Sequence, residues 1–469
     1  MKLIKKLCIF ILTFFYGHLA FAQSAYIDLL SHASEAIDAN DPITALDIYH
    51  DLHLSAKTNQ SETYQRIALF RIARIQMWLG DYDAASEIYK SLLASDLDAT
   101  DYQIALAGLV DSLSYNDKSF TADEVADNNN PEQVDNPDLI IANARAALWS
   151  NQPYKAKSWL EDYEGESSLA FQNLDFFTNQ AAANYFIEPY FRFEHDTDDL
   201  TIYKTGMSAG HRWNKTQTSN LLAAYQQYNQ NADSAHGEIL GVSQIMHLIE
   251  QTLHLGVGIN AIHFDTDWSP WTGFVDLFYQ AQDEWAVNLY ADKSLVDTYY
   301  AVANEITVNS YGVDLFYMPN YRTQFSLSPY YKNFTDGNAR YGITASSDIL
   351  LWPSFGLGVR PQVRYFEDSK QLDTNNYFNP SEYIEGNLFL TLQQWILPTW
   401  SWYVEAGPGY QNTHPGEDGM TYLAEGGVSG AITDITYLNA FVGYTNASYS
   451  SASGYSNSYA GIAFTIAFD

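Results

Sequence analysis

The chain has 469 residues, with 23 Lys and Arg against 56 Asp and Glu, a formal net charge of −33, 15% aromatic residues and one cysteine. That acidity excludes a nucleic-acid partner, whose phosphates need a basic footprint, and a lone Cys8 excludes a disulfide framework. No stretch approaches 18 consecutive apolar residues, so a membrane would have to be crossed by a closed β-barrel, in which alternate residues face water and every backbone group is paired.

Residues 1–22 read as a secretory leader. Lys2, Lys5 and Lys6 precede an apolar run over 7–16, and Ala20-Phe21-Ala22 supplies a small-x-small cleavage site before Gln23. Cys8 falls inside the leader, so the mature chain is expected to have no thiol nucleophile or thiolate metal site.

Residues 23–184 carry the period of amphipathic helices. Trp78-Leu79-Gly80-Asp81-Tyr82-Asp83-Ala84-Ala85, followed by Tyr89, resembles the tetratricopeptide repeat, in which a small residue ends one helix and an Ala lets the next pack close. Ala45 and Tyr49 stand 40 residues before Ala85 and Tyr89, and 148–156 reads as a third copy. The stretch 119–138, with its Asn128-Asn129-Asn130-Pro131 break, departs from the pattern. Three or four helical pairs are expected, in the periplasm, with a groove that suits a secretion or modification partner.

Residues 185–469 divide into sixteen segments that alternate apolar with polar or small side chains. In the last, Ile462, Phe464, Ile466 and Phe468 share one face and Gly461, Ala463, Thr465 and Ala467 the other. Short connections at 213–215, 249–252, 281–284, 318–321, 352–354, 397–399 and 433–435 alternate with longer polar ones. The long ones fall at 196–200, 229–237, 265–270, 292–309, 333–340, 367–381, 411–421 and 446–458. That is the parity of an outer-membrane barrel with both ends on the short-turn side. The expected fold class is therefore a short helical-repeat array followed by a sixteen-stranded antiparallel barrel, facing outer-membrane lipid.

With the apolar face assigned to lipid, Glu188, Glu194, Asp276, Asp314, Asp348, Glu385, Glu405 and Glu425 turn inward, together with Tyr190, Tyr290, Tyr330 and Tyr403. Lys204, Lys332, Arg360 and Arg364 fall on the same side. These side chains are candidates to line a channel, either pairing with one another or making many weak contacts to a passing polar polymer.

Gly206-Met207-Ser208-Ala209-Gly210 matches the serine-hydrolase elbow, but it falls inside a predicted strand where the motif needs a turn before a helix. The histidines lack paired spacing, and solvated loops are expected where Asp196, Asp198 and Asp199 or Asp265 and Asp267 could touch a cation. No catalytic residue, metal or cofactor is assigned.

Asn376-Tyr377-Phe378-Asn379-Pro380, followed by Tyr383, resembles the Tyr-Phe-Ser/Asn-Pro signature in the barrels of exopolysaccharide-export proteins. These include the outer-membrane subunit of cellulose secretion and the poly-N-acetylglucosamine export porin. The resemblance implies periplasmic tetratricopeptide repeats joined to a sixteen-stranded barrel that exports a neutral or partly cationic glycan. The helical array is much shorter than in those relatives, and Phe468 is followed by Asp469 where such barrels usually end on the aromatic. The other readings are a surface-lipoprotein assembly modulator, which would have fourteen strands, and a barrel enzyme or adhesin that works through its outer loops.

Overall fold

The structure, a computed structural model, describes residues 25–129, 131, 134, 136–161, 163, 165, 167–370, 376–416, 418–448 and 456–469. The leader reading of 1–22 lies outside the described residues. Contacts divide the chain into one unit ending at Ala146 and a second running from Ala147 to Asp469.

The helices are α1 (25–38), α2 (Pro42–Thr58), α3 (Glu62–Leu79), α4 (Tyr82–Leu93), α5 (Ala99–Tyr115), α6 (Ser119–Asn129), α7 (Pro137–Trp149), α8 (Pro153–Glu161) and α9 (Leu169–Ala182). A helix-ending turn recurs along the array, at Gln60 (φ 55°) with Ser61 donating to Ala56, and at four further places where a packing position recurs with it. Asn40, Gly80, Asp117 and Asn151 each adopt a left-handed φ of 58°, 77°, 58° and 64°. After each, the next backbone N–H donates to the carbonyl five residues back, as Asp41 to Ala36, Asp81 to Gln76, Lys118 to Leu113 and Gln152 to Ala147. This closure satisfies carbonyls that the end of a helix leaves without partners. Five residues beyond each left-handed residue stands a fully buried Ala, at 45, 85, 122 and 156. The copy around Asp117 falls where the sequence was read as leaving the pattern. Its Ala122 and Ala126 replace the Ala-Tyr pair, so the motif residues change while the packing positions persist.

Within the first unit, Tyr26, Tyr49, Leu52 and Ile72 form one core cluster, and Tyr89, Leu106, Val110 and Leu139 belong to the next. A methyl added at Gly108 would stand 2.3 Å from the Tyr89 ring, so glycine lets α5 close on α4.

The barrel strands are β1 (Tyr185–Asp196), β2 (Leu200–Asn214), β3 (Gln217–Gln230), β4 (Asp233–Ile249), β5 (Leu253–Phe264), β6 (Trp271–Gln282), β7 (Trp285–Leu295) and β8 (Thr307–Asn320). They continue as β9 (Thr323–Phe334), β10 (Ala339–Trp352), β11 (Leu357–Asp368), β12 (Glu382–Leu397), β13 (Trp400–His414), β14 (Gly419–Thr433), β15 (Thr436–Thr445) and β16 (Asn457–Phe468). Each pairs with its neighbours in sequence, and β1 pairs antiparallel with β16, Tyr185 opposite Phe468 and Asp196 opposite Asn457. Sixteen strands close the sheet, against the fourteen that the assembly-modulator reading requires.

Several connections are shorter than their polar composition predicted, among them 292–309, which shrinks to 296–306. The β3–β4 hairpin pairs Gln230 with Asp233 and turns through 231–232, where the loop was placed at 229–237. The loops at 333–340 and 411–421 shrink to 335–338 and 415–418. Beyond the apolar band the outward face meets water and polar residues such as Gln226, Gln230 and Thr413 are buried on the inward face, so the apolar period of two fades from the sequence while the ladder continues. The large connections are β7–β8, β11–β12 and β15–β16, all on the rim opposite the two ends of the barrel.

Candidate functional site

Cross-strand pairing fixes which side chains share a face, because opposed residues in a ladder point the same way. Glu188 opposes Ser208, Asp276 opposes Tyr290, and Tyr290 opposes Gly312, which also faces Tyr330. Continuing round the sheet places Asp314, Asp348, Glu385, Tyr403, Glu405, Glu425, Tyr190 and Glu194 on that same face. It is the interior, since Arg360 on β11 reaches past β12 to Glu405 on β13. The other face carries exposed Leu221, Leu240, Val363, Leu388 and Leu390.

The interior acids are extensively bonded. Arg360 donates to Asp348 at 2.5 Å and to Glu405 at 2.6 Å, and Arg364 donates to Glu385 at 2.6 Å. Arg192 pairs with Glu194 at 2.8 Å. Glu425 accepts from the hydroxyls of Tyr403 and Tyr459, each at 2.7 Å, and Glu188 accepts from Ser208 at 3.0 Å. The interior field is therefore weaker than a roster of carboxylates implies, and Asp276 and Asp314 form no ion pair among the described residues.

The interior tyrosines lie flat. A methyl added at Gly312 would stand 2.4 Å from the Tyr290 ring, one at Gly342 2.2 Å from Tyr330, and one at Gly427 2.4 Å from Tyr403. Each ring covers a glycine on the neighbouring strand instead of projecting across the lumen. The wall thereby presents ring faces and leaves space.

Two loops enter the mouth on the long-loop rim. The β7–β8 connection contains a short helix, α10 (Tyr299–Ala303), capped by the Thr298 hydroxyl. Its Val302 packs with Leu200, Ile202, Tyr228 and Phe264 from β2, β3 and β5. Its Asp297 accepts from Lys204 Nζ on β2 at 2.7 Å and from the Tyr228 hydroxyl on β3 at 2.7 Å. Burial alone would push the Asp297 carboxyl up, but the Lys204 ammonium, hydrogen bonds from Lys204 and Tyr228, and the charge of Arg192 hold it below the ordinary carboxylate range.

The β11–β12 connection brings in the Tyr377–Tyr383 motif. Tyr377 stacks on Phe334 at 4.4 Å and donates to Asp336 at 2.9 Å. Arg340 makes a two-pronged bond to Asp368, 2.9 and 2.8 Å, while donating to the Phe378 carbonyl at 2.5 Å and covering the Phe366 ring at 4.0 Å. Phe378 meets Tyr383 edge-on at 5.6 Å. The two loops are joined where Thr298 donates to the Asn376 carbonyl and Asn304 to the Asn376 side chain. Asn379 and Pro380 complete the motif segment ahead of β12. No sequence signal singled out Asp297, Tyr228 or Arg340, since each acts through a partner distant in the chain.

At the short-turn rim, within the second unit, α9 packs Phe177 against Trp395 and Tyr437, 6.3 and 5.7 Å. Asp469 accepts from Lys157 and from the backbone N–H of Asn184, each at 3.1 Å, so the residue after the terminal aromatic tethers this helical segment to the barrel.

The serine-elbow match lies in mid-strand, with Ser208 bonded to Glu188. Asp196 spends its carboxylate on the amides of Asp198 and Leu200, and Asp265 on His236. Both stretches act as turn chemistry.

A closed sheet of sixteen antiparallel strands, apolar outside and ion-paired within, is the architecture of bacterial outer-membrane proteins. Residues 273–451 match the family of the PgaA membrane beta barrel domain. The match runs from β6 to beyond β15 and includes both mouth loops. The chain is an outer-membrane β-barrel protein. It is similar in fold to a solved structure described as a bacterial polysaccharide outer membrane secretin, at 15% identity and a TM-score of 0.51, over 61% of this chain and all of that one. Weaker likenesses are to CdiB from Acinetobacter baumannii (12% identity, TM-score 0.41, 61% of this chain and 60% of that one) and to the CymD monoaromatic hydrocarbon channel (11%, 0.35, 63% and 91%). No curated protein matches the sequence.

Proposed function

We propose that this PgaA-type barrel is an outer-membrane channel that exports a polysaccharide, and that the helical repeats stand in the periplasm as a scaffold for a secretion or modification partner. The observation that carries the reading is the match of β6–β15 to the PgaA barrel domain, within a fold shared with a polysaccharide secretin. The interior suits such cargo. Rings laid flat over glycines offer weak contact to sugar faces, and carboxylates already bonded to Arg360, Arg364 and tyrosine hydroxyls hold a passing chain loosely. A conduit needs that weakness, because a solute bound tightly does not leave. Glu188, Tyr190, Asp276, Tyr290, Asp314, Tyr330, Tyr403, Glu405 and Glu425 are the proposed lining, and a neutral or partly cationic glycan is the proposed cargo. Residual acids such as Asp276 and Asp314 would favour amines over a polyanion.

The test is polymer secretion from cells expressing the full chain, together with oligosaccharide block of single channels in planar bilayers. Secretion that depends on the chain, and block by neutral oligosaccharides, are expected. A folded barrel that passes ions, is indifferent to oligosaccharides and leaves secretion unchanged would refute the proposal.

A further inference from the structure

The long-loop mouth contains a cavity of about 340 Å³ whose lining includes the cations Arg192, Lys204, Lys332 and Arg340 and the acids Glu194, Asp196 and Asp297. The barrel segment from 185 onward has eleven Lys and Arg in all, so four in one cavity of so acidic a chain is a concentration that demands a reason. The four come from opposite walls. Arg192 and Lys204 stand on β1 and β2, Lys332 and Arg340 on β9 and β10, about half the circumference away. They meet in one cavity because the β7–β8 and β11–β12 loops fill the space between.

Three of the four are held by carboxylates: Arg192 by Glu194, Arg340 by Asp368, and Lys204 by Asp297. The first two acids belong to the wall. Asp297 belongs to the loop, and its two oxygens are divided between the Lys204 ammonium and the Tyr228 hydroxyl. Lys332 lies beside the Tyr330 ring at 5.4 Å and makes no ion pair among the described residues.

We propose that this cavity is a binding site for a carboxylate carried on the glycan, such as a uronate or an acidic acyl substituent, and that Asp297 occupies part of it in the resting state. The site accepts a carboxylate because the loop already supplies one there. An incoming carboxylate takes the cation field of Lys332 and competes with Asp297 for Lys204. Losing that bond removes the loop's ionic tie to β2, while the Tyr228 hydrogen bond and the Val302 packing keep the loop seated, so the substituent that binds weakens one of the loop's anchors. The proposal rests on the export reading and amends its cargo: the chain is mainly neutral but carries occasional acidic groups, which are read at the exit.

The full-length protein in a planar bilayer at 0.1 M salt tests this, with a galacturonate trisaccharide and a neutral trisaccharide added on the loop side. The uronate is expected to block more tightly than the neutral sugar, and 1 M salt to remove the difference, since the screening length falls to about 3 Å. Asp297→Asn, which keeps an acceptor for Tyr228, should tighten uronate block about tenfold, and Lys332→Met should weaken it about tenfold, as expected for one near charge at a wet site. Neutral-sugar block should stay unchanged in both. Lys332→Met leaves the loop bonds intact and serves if the loop variant assembles poorly. Equal block by the two sugars, or uronate block insensitive to both substitutions, overturns the subsite while neutral block keeps the export reading. Block by neither sugar overturns both.

Discussion

At the scale of single residues, glycine and tyrosine act as pairs. Tyr330 covers Gly342, where a methyl would stand 2.2 Å from the ring. Gly342→Val should therefore destabilise the barrel by roughly 1–3 kcal/mol, the usual cost of overpacking, read as a lower temperature for the heat-modifiable shift on gels. Tyr330→Ser in the same chain should restore it. Tyr89 offers a second test. Its buried phenol is pushed up to about 12 from an ordinary value of 10, by burial first and the Asp111 charge second. The unfolded phenol ionises first as pH rises, so this contribution is complete below pH 10 and lost by about pH 12. At its largest it amounts to on the order of 2–3 kcal/mol. Helical circular dichroism of the full chain should show alkaline unfolding of the first unit in that window, and Tyr89→Phe should flatten the pH dependence.

At the scale of elements, Arg340 couples β10, β11 and the motif loop. Its pair with Asp368 is buried, so Arg340→Met alone should cost roughly 3–5 kcal/mol locally, chiefly by stranding the aspartate. Pairing it with Asp368→Leu should recover part of that loss. Conductance is the readout: the single variant should show larger and noisier openings as the Tyr377–Tyr383 segment detaches, and unchanged openings would refute its role as a bolt. Arg360 makes the opposite prediction. Because its single charge offsets one of the two carboxylates it bridges, Asp348 and Glu405, Arg360→Gln should raise cation preference, measured as a reversal-potential shift in a salt gradient. Replacing those acids instead would leave Arg360 uncompensated, so a loss of function there would be ambiguous.

For the whole molecule, the short-turn rim holds both ends of the barrel, and the helical unit precedes it in the chain. A cysteine at Ala232, in the β3–β4 turn, should react with an impermeant thiol reagent on intact cells, whereas one at Asp96 in the helical unit should react only after the outer membrane is breached. Reversed labelling would invert the topology.

The barrel and its strand number are legible from residues because lipid on one side and water on the other impose a period of two on each crossing strand, and rims of unequal loops count the crossings. Ile462 to Phe468 show this without any neighbour in view. The inward identity of Asp276, Glu405 and Tyr330 follows from the same alternation. At Gln226 to Gln230 the outward face meets water and the inward face buries polar Gln226 and Gln230 beside Tyr228, so the apolar period is masked and the hairpin was misplaced. The helical copy at Asp117 was hidden for a related reason: a left-handed residue and a buried Ala define it, and several residue types meet the first need. What residues alone did not reveal is which charges cancel. Arg360 meets Glu405 across two strands, and Asp297 meets Lys204 across five, because a closed sheet brings distant strands and inturned loops to one interior. Electrostatic pairing depends on that distance through space, which no local pattern in the chain encodes.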